Sequence, residues 1–123
     1  MKKRALSIRP FIGSKDFEVS RNFYAALGFA ETVLWQGFSL FRMDECSFYL
    51  QDAHVQDWID NTQVFVEVSD VHAFWEDLGK RQLPERFAGV RITAIRQQPW
   101  GSECFVHDPS GVLWHFGSFE NQR

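Results

Sequence analysis

The residues of this chain best suited to bind a metal or to act as nucleophiles are four histidines and two cysteines. Cys46 and Cys104 are far apart and outside any CxxC pattern, which is typical of a protein in a reducing cytosol rather than of a disulfide scaffold. His54, His72 and His107 lie in a polar connecting segment, in the first turn of a predicted helix and beside a predicted turn. These three histidines supply neither the three ligands of a catalytic zinc nor a facial iron site, and we interpret them as exposed side chains.

Aromatic side chains are the second source of chemistry, because thirteen Phe, five Trp and two Tyr exceed what a core of this size needs. Some rings are therefore expected to line a cavity or an interface. Trp35 and Phe38 flank the Gln36-Gly37 turn, so a hairpin tip would present them to a flat ligand or to a partner. Alternation along the strands does not assign a sheet face to the other candidate rings, because both faces are apolar. These rings are Phe41, Tyr49, Trp58, Phe65, Trp100 and Trp114.

The distribution of charge argues against several classes of partner. The formal net charge is −3, and apart from Lys2-Lys3-Arg4 the basic residues are scattered, so the chain lacks the basic patch of a nucleic-acid-binding protein. Arg9 and Pro10 interrupt the apolar run that follows the basic start, and no segment has the length of a signal peptide core or a membrane span. We expect a cytoplasmic protein with neither nucleic acid nor membrane as a partner.

Two segments repeat each other 51 residues apart, FYAALG at 23–28 and FWEDLG at 74–79. Each closes a stretch with the apolar spacing of a helix, and each ends on a glycine of the kind found just after a helix. Because half of this chain would bury too little surface to be stable, the two halves are expected to share one core. The predicted organisation is one domain over 1–123, made of two modules at about 1–53 and 62–119 and a connector at about 54–61.

Strand-like segments surround each predicted helix. In the first half they lie at 6–12, 30–35, 38–43 and 47–51, and in the second half, after a loop-like stretch at 79–89, they lie at 90–97, 102–107 and 112–116. Asp16 is suited to cap the first helix, and Ser69 or Asp70 the second. The sequence DPSG at 108–111 predicts a tight hairpin turn that ends in a left-handed glycine. Both halves are therefore predicted to be βαβββ modules of an α+β fold.

Three segments together resemble the vicinal oxygen chelate superfamily, and within it the glyoxalase and bleomycin resistance protein group. They are SRNFYAALGF at 20–29, VFVEVSDVHAFWEDL at 64–78 and PWGSECFVHDPSGVLWHFG at 99–117. The resemblance covers essentially the whole chain. It implies two βαβββ modules that form a cup-like mixed sheet, with helices on the outer face and a ligand cavity on the inner face. It also implies a homodimer.

The resemblance further identifies the positions where enzymes of this superfamily hold a metal. In this chain the first and third positions fall on Arg9 and Val64, the second on Tyr49 or Gln51, and the fourth on His115. An arginine stays protonated and a valine has no donor atom, so only His115 is a good ligand. The resemblance thus implies a protein without a metal or another cofactor, and it favours binding over catalysis.

Polar groups in the implied cavity would set its specificity. Arg9 could hold an acidic group of a ligand, or it could pair with the carboxylate of Glu67 or Glu103. Glu103 could equally attract a cationic ligand. By the resemblance Trp100 lies in a loop at the cavity mouth, where an exposed ring favours ligand contact. The predicted ligand-binding residues are Arg9, Trp35, Phe38, Tyr49, Gln51, Trp100, Glu103 and His115.

Three functions remain open from the sequence. The leading hypothesis is a metal-independent small-molecule binding protein that sequesters a planar or amphipathic ligand, such as an antibiotic or a metabolite, in an aromatic cavity. The second is a metal-dependent lyase or dioxygenase of the same superfamily with a degenerate site, using His115 with Tyr49, Gln51 or Glu103. The third is a structural dimer module with a filled cavity. A net charge of −3 gives only weak attraction for a cationic ligand of the bleomycin type.

Overall fold

The computed structural model describes residues 2–120, which form two modules that each begin with a strand and a long helix and continue with further strands. The first module contains β1 (Phe11–Gly13), α1 (Phe17–Leu27), β2 (Ala30–Trp35), β3 (Phe38–Met43) and β4 (Cys46–Gln51), and a short helix α2 (Gln56–Asp60) follows it. The second module contains β5 (Gln63–Glu67), α3 (Val71–Arg81), α4 (Leu83–Arg86), β6 (Arg91–Ile92), β7 (Arg96–Gln98), β8 (Gly101–His107) and β9 (Leu113–Phe119). Met1, where the first predicted module begins, and residues 121–123 lie outside the described residues.

Each module folds into its own mixed sheet. Sheet A has the strand order β1-β4-β3-β2, and sheet B has the order β5-β9-β8-β6, with β7 also paired to β8. In both sheets the first strand of the module pairs in parallel with the last one, and the remaining pairs are antiparallel. The predicted α+β fold of two βαβββ modules is confirmed. None of the helices between residues 2 and 120 has the length and apolar character that crossing a membrane requires.

The two long helices begin where the sequence predicts. The Asp16 carboxylate accepts a hydrogen bond from the Val19 N–H at 3.2 Å, and the Asp70 carboxylate caps α3 in the same way. The first helix also ends as predicted, because Gly28 adopts a φ of 127° that a residue with a side chain rarely takes.

The predicted end of the second helix at Gly79 is wrong. The helix continues to Arg81, and Gln82 adopts the left-handed conformation with a φ of 53°. A glycine inside a helix costs only about 1 kcal/mol relative to alanine, and burial of Leu78 and Leu83 on either side of the helix end offsets that amount. The loop-like stretch predicted at 79–89 therefore includes the end of α3 and all of α4.

Two of the predicted strands are shorter than expected. The first was predicted at 6–12, but β1 begins only at Phe11, because Pro10 has no N–H to donate and contributes only its carbonyl, which accepts from the Tyr49 N–H at 3.0 Å. The strand predicted at 90–97 is interrupted and forms β6 and β7. Thr93 lies between them, and its hydroxyl and N–H both bond to the backbone of Phe105 in β8.

The faces of the two sheets that the helices cover share one core. Tyr24 of α1 lies 4.9 Å from Phe48 of sheet A and 5.6 Å from Trp114 of sheet B, measured between ring centres. Phe48 and Trp114 also contact each other directly at 5.1 Å. Two rings that the sequence left as cavity candidates, Phe41 and Trp114, are buried in this core. The opposite face of each sheet is not covered by a helix, and we call it the open face.

Candidate functional site

The open face of sheet A is built from alternating positions on its four strands. The register places Leu40 opposite Tyr49, Phe38 opposite Gln51 and Arg42 opposite Ser47. Directly opposite residues project from the same side of a sheet, and every second residue along a strand joins them. The face therefore carries, from β1 to β4, Phe11, Thr32, Phe38, Leu40, Arg42, Ser47, Tyr49 and Gln51.

Three rings on this face form a continuous stack, which we call the ring column. The Trp35 and Phe38 ring centres are 4.5 Å apart with planes inclined by 14°, and those of Phe38 and Tyr49 are 5.1 Å apart with planes inclined by 15°. Phe11 supports the column from the side, tilted against both Phe38 and Tyr49. The column ends at Trp35, whose side chain is 64% exposed.

A β-bulge explains why Trp35 lies on the open face. Residues 30–33 pair regularly with β3, but the register shifts between Val33 and Trp35, so that Trp35 lies opposite Phe38. Leu34 is the extra residue. Strict alternation would have placed Trp35 on the helix-covered face with Val33, and one inserted residue reverses the faces beyond it.

Arg9 lies at the other end of the ring column. Its Nε donates to the Ser47 hydroxyl at 3.1 Å, and its Nη1 donates to the Tyr49 hydroxyl at 2.9 Å. The guanidinium carbon is 5.7 Å from the centre of the Tyr49 ring, within the range of a cation–π contact. The Glu103 carboxylate, one of two internal partners that the sequence left open for Arg9, is instead bonded to His115 and Gln98.

A second polar and aromatic group lies on the open face of sheet B. His115 Nδ1 is 3.0 Å from Glu103 Oε1, and His115 Nε2 is 2.8 Å from Gln63 Oε1. Gln98 donates to the other oxygen of Glu103 at 3.0 Å. These contacts hold the imidazole ring between two strands, and the buried Glu103 carboxylate has a hydrogen-bond partner at each oxygen.

Trp100 belongs to this second group. Its ring is half-buried and lies 5.6 Å from Phe65 and 4.9 Å from Phe119, measured between ring centres. The ring therefore packs against neighbours and is less exposed than the mouth position implied by the resemblance. Phe65 also lies 6.2 Å from the His115 ring, which joins the aromatic and polar parts of the group.

The structure thus divides the predicted site residues between the two sheets. Sheet A brings together Arg9, Trp35, Phe38, Tyr49 and Gln51, and sheet B brings together Trp100, Glu103 and His115.

Sequence reasoning missed two residues of the first group, Phe11 and Arg42. Strand alternation could have identified both, because residues an even number apart on a strand share a face. Phe11 is two residues from Arg9, and Arg42 is four residues from Phe38 on β3.

The four positions matched to a superfamily metal site do not provide a suitable set of donors. Arg9 and Tyr49 lie on sheet A, His115 lies on sheet B, and Val64 packs against the core. Between residues 2 and 120, no three histidine, cysteine, aspartate or glutamate side chains are grouped so that they could hold a metal ion. A guanidinium and a valine cannot replace the missing ligands, so these residues do not fit a divalent cation.

A cavity of about 1090 Å³ lies between the segment before β1 and strand β5. Residues 6–10 form one side and residues 63–69 the other, with Phe48 and Trp114 reaching it from the core. The cavity lies at the edge of each sheet where its first strand is found, so it adjoins Arg9 at the end of the ring column.

Comparison with known proteins identifies the fold. No protein-family profile matches the chain, and no curated protein matches its sequence. Among solved structures, the bleomycin-binding protein of bleomycin-producing Streptomyces verticillus, in complex with copper(II)-bleomycin, superimposes with a TM-score of 0.80 at 24% identity, over 97% of this chain and 100% of that chain. The chain has the fold of the bleomycin-binding proteins.

Two further structures show how widely this fold is used. The antibiotic binding protein TnmS3 from Streptomyces sp. CB03234 has a TM-score of 0.75 at 18% identity, over 97% of this chain and 100% of that one. A lactoylglutathione lyase from Agrobacterium tumefaciens has a TM-score of 0.68 at 15% identity, over 94% and 96% of the two chains. The fold expected from the resemblance is therefore present, and it serves both binding proteins and an enzyme, so function has to be argued from the site.

Proposed function

We propose that this protein is a metal-independent small-molecule binding protein that sequesters a planar or amphipathic ligand, such as an antibiotic or a metabolite. The observation that carries the proposal is the ring column, which ends in a largely exposed indole at Trp35. Phe38 supports one face of this indole, and its exposed surface is available to a flat ligand. A core ring would instead be enclosed, as Phe41 and Trp114 are.

Stacking and desolvation are sufficient for useful affinity at such a site. Each aromatic pair contributes about 0.5 to 1.5 kcal/mol beyond the area it buries. Contact with the rings of the column, burial of the ligand's apolar surface and one charge-assisted hydrogen bond would together reach roughly micromolar affinity. Gln51, opposite Phe38, adds a neutral donor and acceptor beside the rings.

Trp100, Glu103 and His115 form the second contact group of this proposal, and we infer a cytoplasmic homodimer as its setting. Structural neighbours described as bleomycin-binding and antibiotic binding proteins support a binding role. The poor fit of the matched residues to a divalent cation supports metal independence.

Replacing Trp35 by alanine tests the proposal. We expect the protein to bind the planar neutral probe dansylglycinamide and Trp35→Ala to weaken this binding by roughly tenfold, the equivalent of one lost stacking contact. Probe affinity would be measured by fluorescence titration in the presence of EDTA, which removes metal from the protein.

Trp58→Ala is the matched control, because Trp58 is a comparably exposed tryptophan, at 68%, but lies on α2 away from the column. The affinity of Trp58→Ala for dansylglycinamide should equal that of the unchanged protein. The proposal would be contradicted by an equal loss of affinity in both variants or by loss of dansylglycinamide binding in EDTA. It would also be contradicted if neither dansylglycinamide nor its acid form, dansylglycine, bound at about 1 mM.

A further inference from the structure

We propose that the ligand of the open face of sheet A is an aromatic acid, a planar molecule that carries a carboxylate or sulfonate. This inference rests on the proposed function and names the chemical class of its ligand. It differs from a cationic ligand of the bleomycin type, and the charges of the face distinguish the two.

Two charged residues lie on the open face of sheet A, and both are arginines. Arg42 occupies an open-face position of β3, and Arg9 precedes β1. Arg9 bonds to Ser47, and Arg42 lies opposite Ser47 in the register, so both positive charges flank one hydroxyl. The acidic residue of β2, Glu31, faces the helix-covered side, where it pairs with Arg21 at 2.9 Å. At its strand positions and at Arg9, the open face of sheet A therefore presents two positive charges and no carboxylate. The nearby carboxylates of Glu45 and Glu67 line the adjoining cavity.

Neither arginine is neutralised by a carboxylate of the described chain. Arg9 uses Nε and Nη1 on two neutral hydroxyl groups, and its Nη2 makes no hydrogen bond to residues 2–120. Arg42 is exposed and has no ion pair or side-chain hydrogen bond within the same range. A half-buried guanidinium beside apolar rings attracts an anion more strongly than an exposed one does, because less water screens the interaction.

The geometry of Arg9 suits an acidic group attached to a ring. Two hydrogen bonds hold its guanidinium against the Tyr49 ring, at the end of the column opposite Trp35. A ligand that contacts Trp35 and extends along the edges of Phe38 and Tyr49 would place an acidic substituent at this guanidinium. The Nη2 donors, which make no hydrogen bond to residues 2–120, would then form charge-assisted hydrogen bonds with a carboxylate or sulfonate. A cationic substituent would meet repulsion from Arg9 and Arg42 at the same place.

A matched pair of fluorescent probes tests this inference. Dansylglycine and dansylglycinamide have the same ring system. Dansylglycine carries a carboxylate where dansylglycinamide carries a neutral amide. We expect dansylglycine to bind about tenfold more tightly, the effect of one hydrogen bond between charged groups. Arg9→Met keeps the aliphatic stem and removes the charge, so it should abolish this preference by weakening the binding of dansylglycine far more than that of the amide.

Arg42→Met and Arg96→Met complete the design. Arg42 is exposed on the same face, so its replacement should leave folding intact and reduce the preference by about threefold. Arg96 lies over Phe105 on sheet B, 5.9 Å from the ring centre, and its replacement should leave the preference unchanged.

The outcomes separate this inference from the function on which it rests. Equal affinity for the two probes, or a preference that survives both Arg9→Met and Arg42→Met, would overturn the aromatic acid while leaving a binding protein. Failure of both probes to bind would instead overturn the proposed function. If the Arg9→Met variant is unfolded at the assay temperature, the effect of Arg42→Met on the preference for dansylglycine decides whether the inference holds.

Discussion

One hydroxyl group connects the two modules at the level of single residues. The Tyr24 hydroxyl donates to Asp108 Oδ2 at 2.5 Å and accepts from the Trp114 indole N–H at 2.9 Å. The other Asp108 oxygen accepts three backbone N–H groups, from residues 110–112. This network joins α1 to the turn before β9, and it gives Asp108 a role beyond that of the first residue of the predicted DPSG turn.

Replacing Tyr24 by phenylalanine should destabilise the protein in a pH-dependent way. Burial raises the pKa of Asp108 above its ordinary value of 3.8, although the hydrogen bond from Tyr24 opposes this shift. The contribution of Asp108 to stability is therefore complete below the ordinary value and is lost as the pH rises through the raised value. Without the hydroxyl the pKa rises further, and more stability is lost at neutral pH.

We expect Tyr24→Phe to lower the free energy of unfolding by about 1 kcal/mol near pH 4 and by about 2 to 3 kcal/mol near pH 7. Urea denaturation at both pH values measures the difference. Tyr49→Phe is the control, because its partner Arg9 stays charged throughout this range and its small effect should not depend on pH. A deficit of equal size at both pH values would contradict the role assigned to Asp108.

At the level of elements, the β2–β3 hairpin positions the ring column. The bulge at Leu34 brings Trp35 to the open face, and the two residues Gln36 and Gly37 then return the chain so that Phe38 lies directly opposite it. Gly37 has a φ of 75° and packs beside Asp52, where a β-carbon would lie 3.2 Å from Asp52 Cβ. The stack at the exposed end of the column thus depends on a glycine in the turn.

Two glycine substitutions should therefore have opposite effects. Gly37→Ala strains the turn and should lower the free energy of unfolding by about 1 kcal/mol. Gly79→Ala should raise it by about 0.5 to 1 kcal/mol, because Gly79 lies inside α3 and a β-carbon there meets no atom within 4 Å. Chemical denaturation of both variants provides the test, and a destabilising Gly79→Ala would show that the helix ends where the sequence alone suggested.

At the level of the whole molecule, the segment before β1 exposes an unusual amount of apolar surface. Leu6 is 85% and Ile8 93% exposed, although both border the cavity that faces β5. Apolar side chains exposed to this extent on an extended segment are typical of an interface. This exposure supports the homodimer that the resemblance implies.

We expect the unchanged protein to sediment as a dimer and the double variant Leu6→Asp, Ile8→Asp to sediment as a monomer, because two carboxylates cannot be buried in an apolar interface. Analytical ultracentrifugation over a range of concentrations measures the change. Val55→Asp, at a position 40% exposed before α2, should remain dimeric. A monomeric unchanged protein at all concentrations would show that this surface is not a dimer interface.

The sequence by itself determined the modules and most of their elements. Apolar spacing and the caps predicted at Asp16 and at Ser69 or Asp70 defined where the helices begin, and of the latter two the structure uses Asp70. The DPSG turn at 108–111 defined the last hairpin. These features depend on local chemistry, since a cap or a turn requires only neighbouring residues. The end of α3 was predicted incorrectly. The helix continues past Gly79 because this allows Leu83 to be buried, and burial depends on residues distant in the sequence.

Only the tertiary structure decided which side chains share a face. Alternation places Trp35 on the helix-covered side, and the bulge at Leu34 reverses that assignment without any signal in the residue types. Alternation places Phe38 and Phe41 on opposite faces of β3, but both faces of sheet A are aromatic, so the sequence could not tell which of the two faces is the core. The partners of Arg9 were likewise decided by the parallel pairing of β1 with β4, a contact between segments about forty residues apart that no local rule specifies.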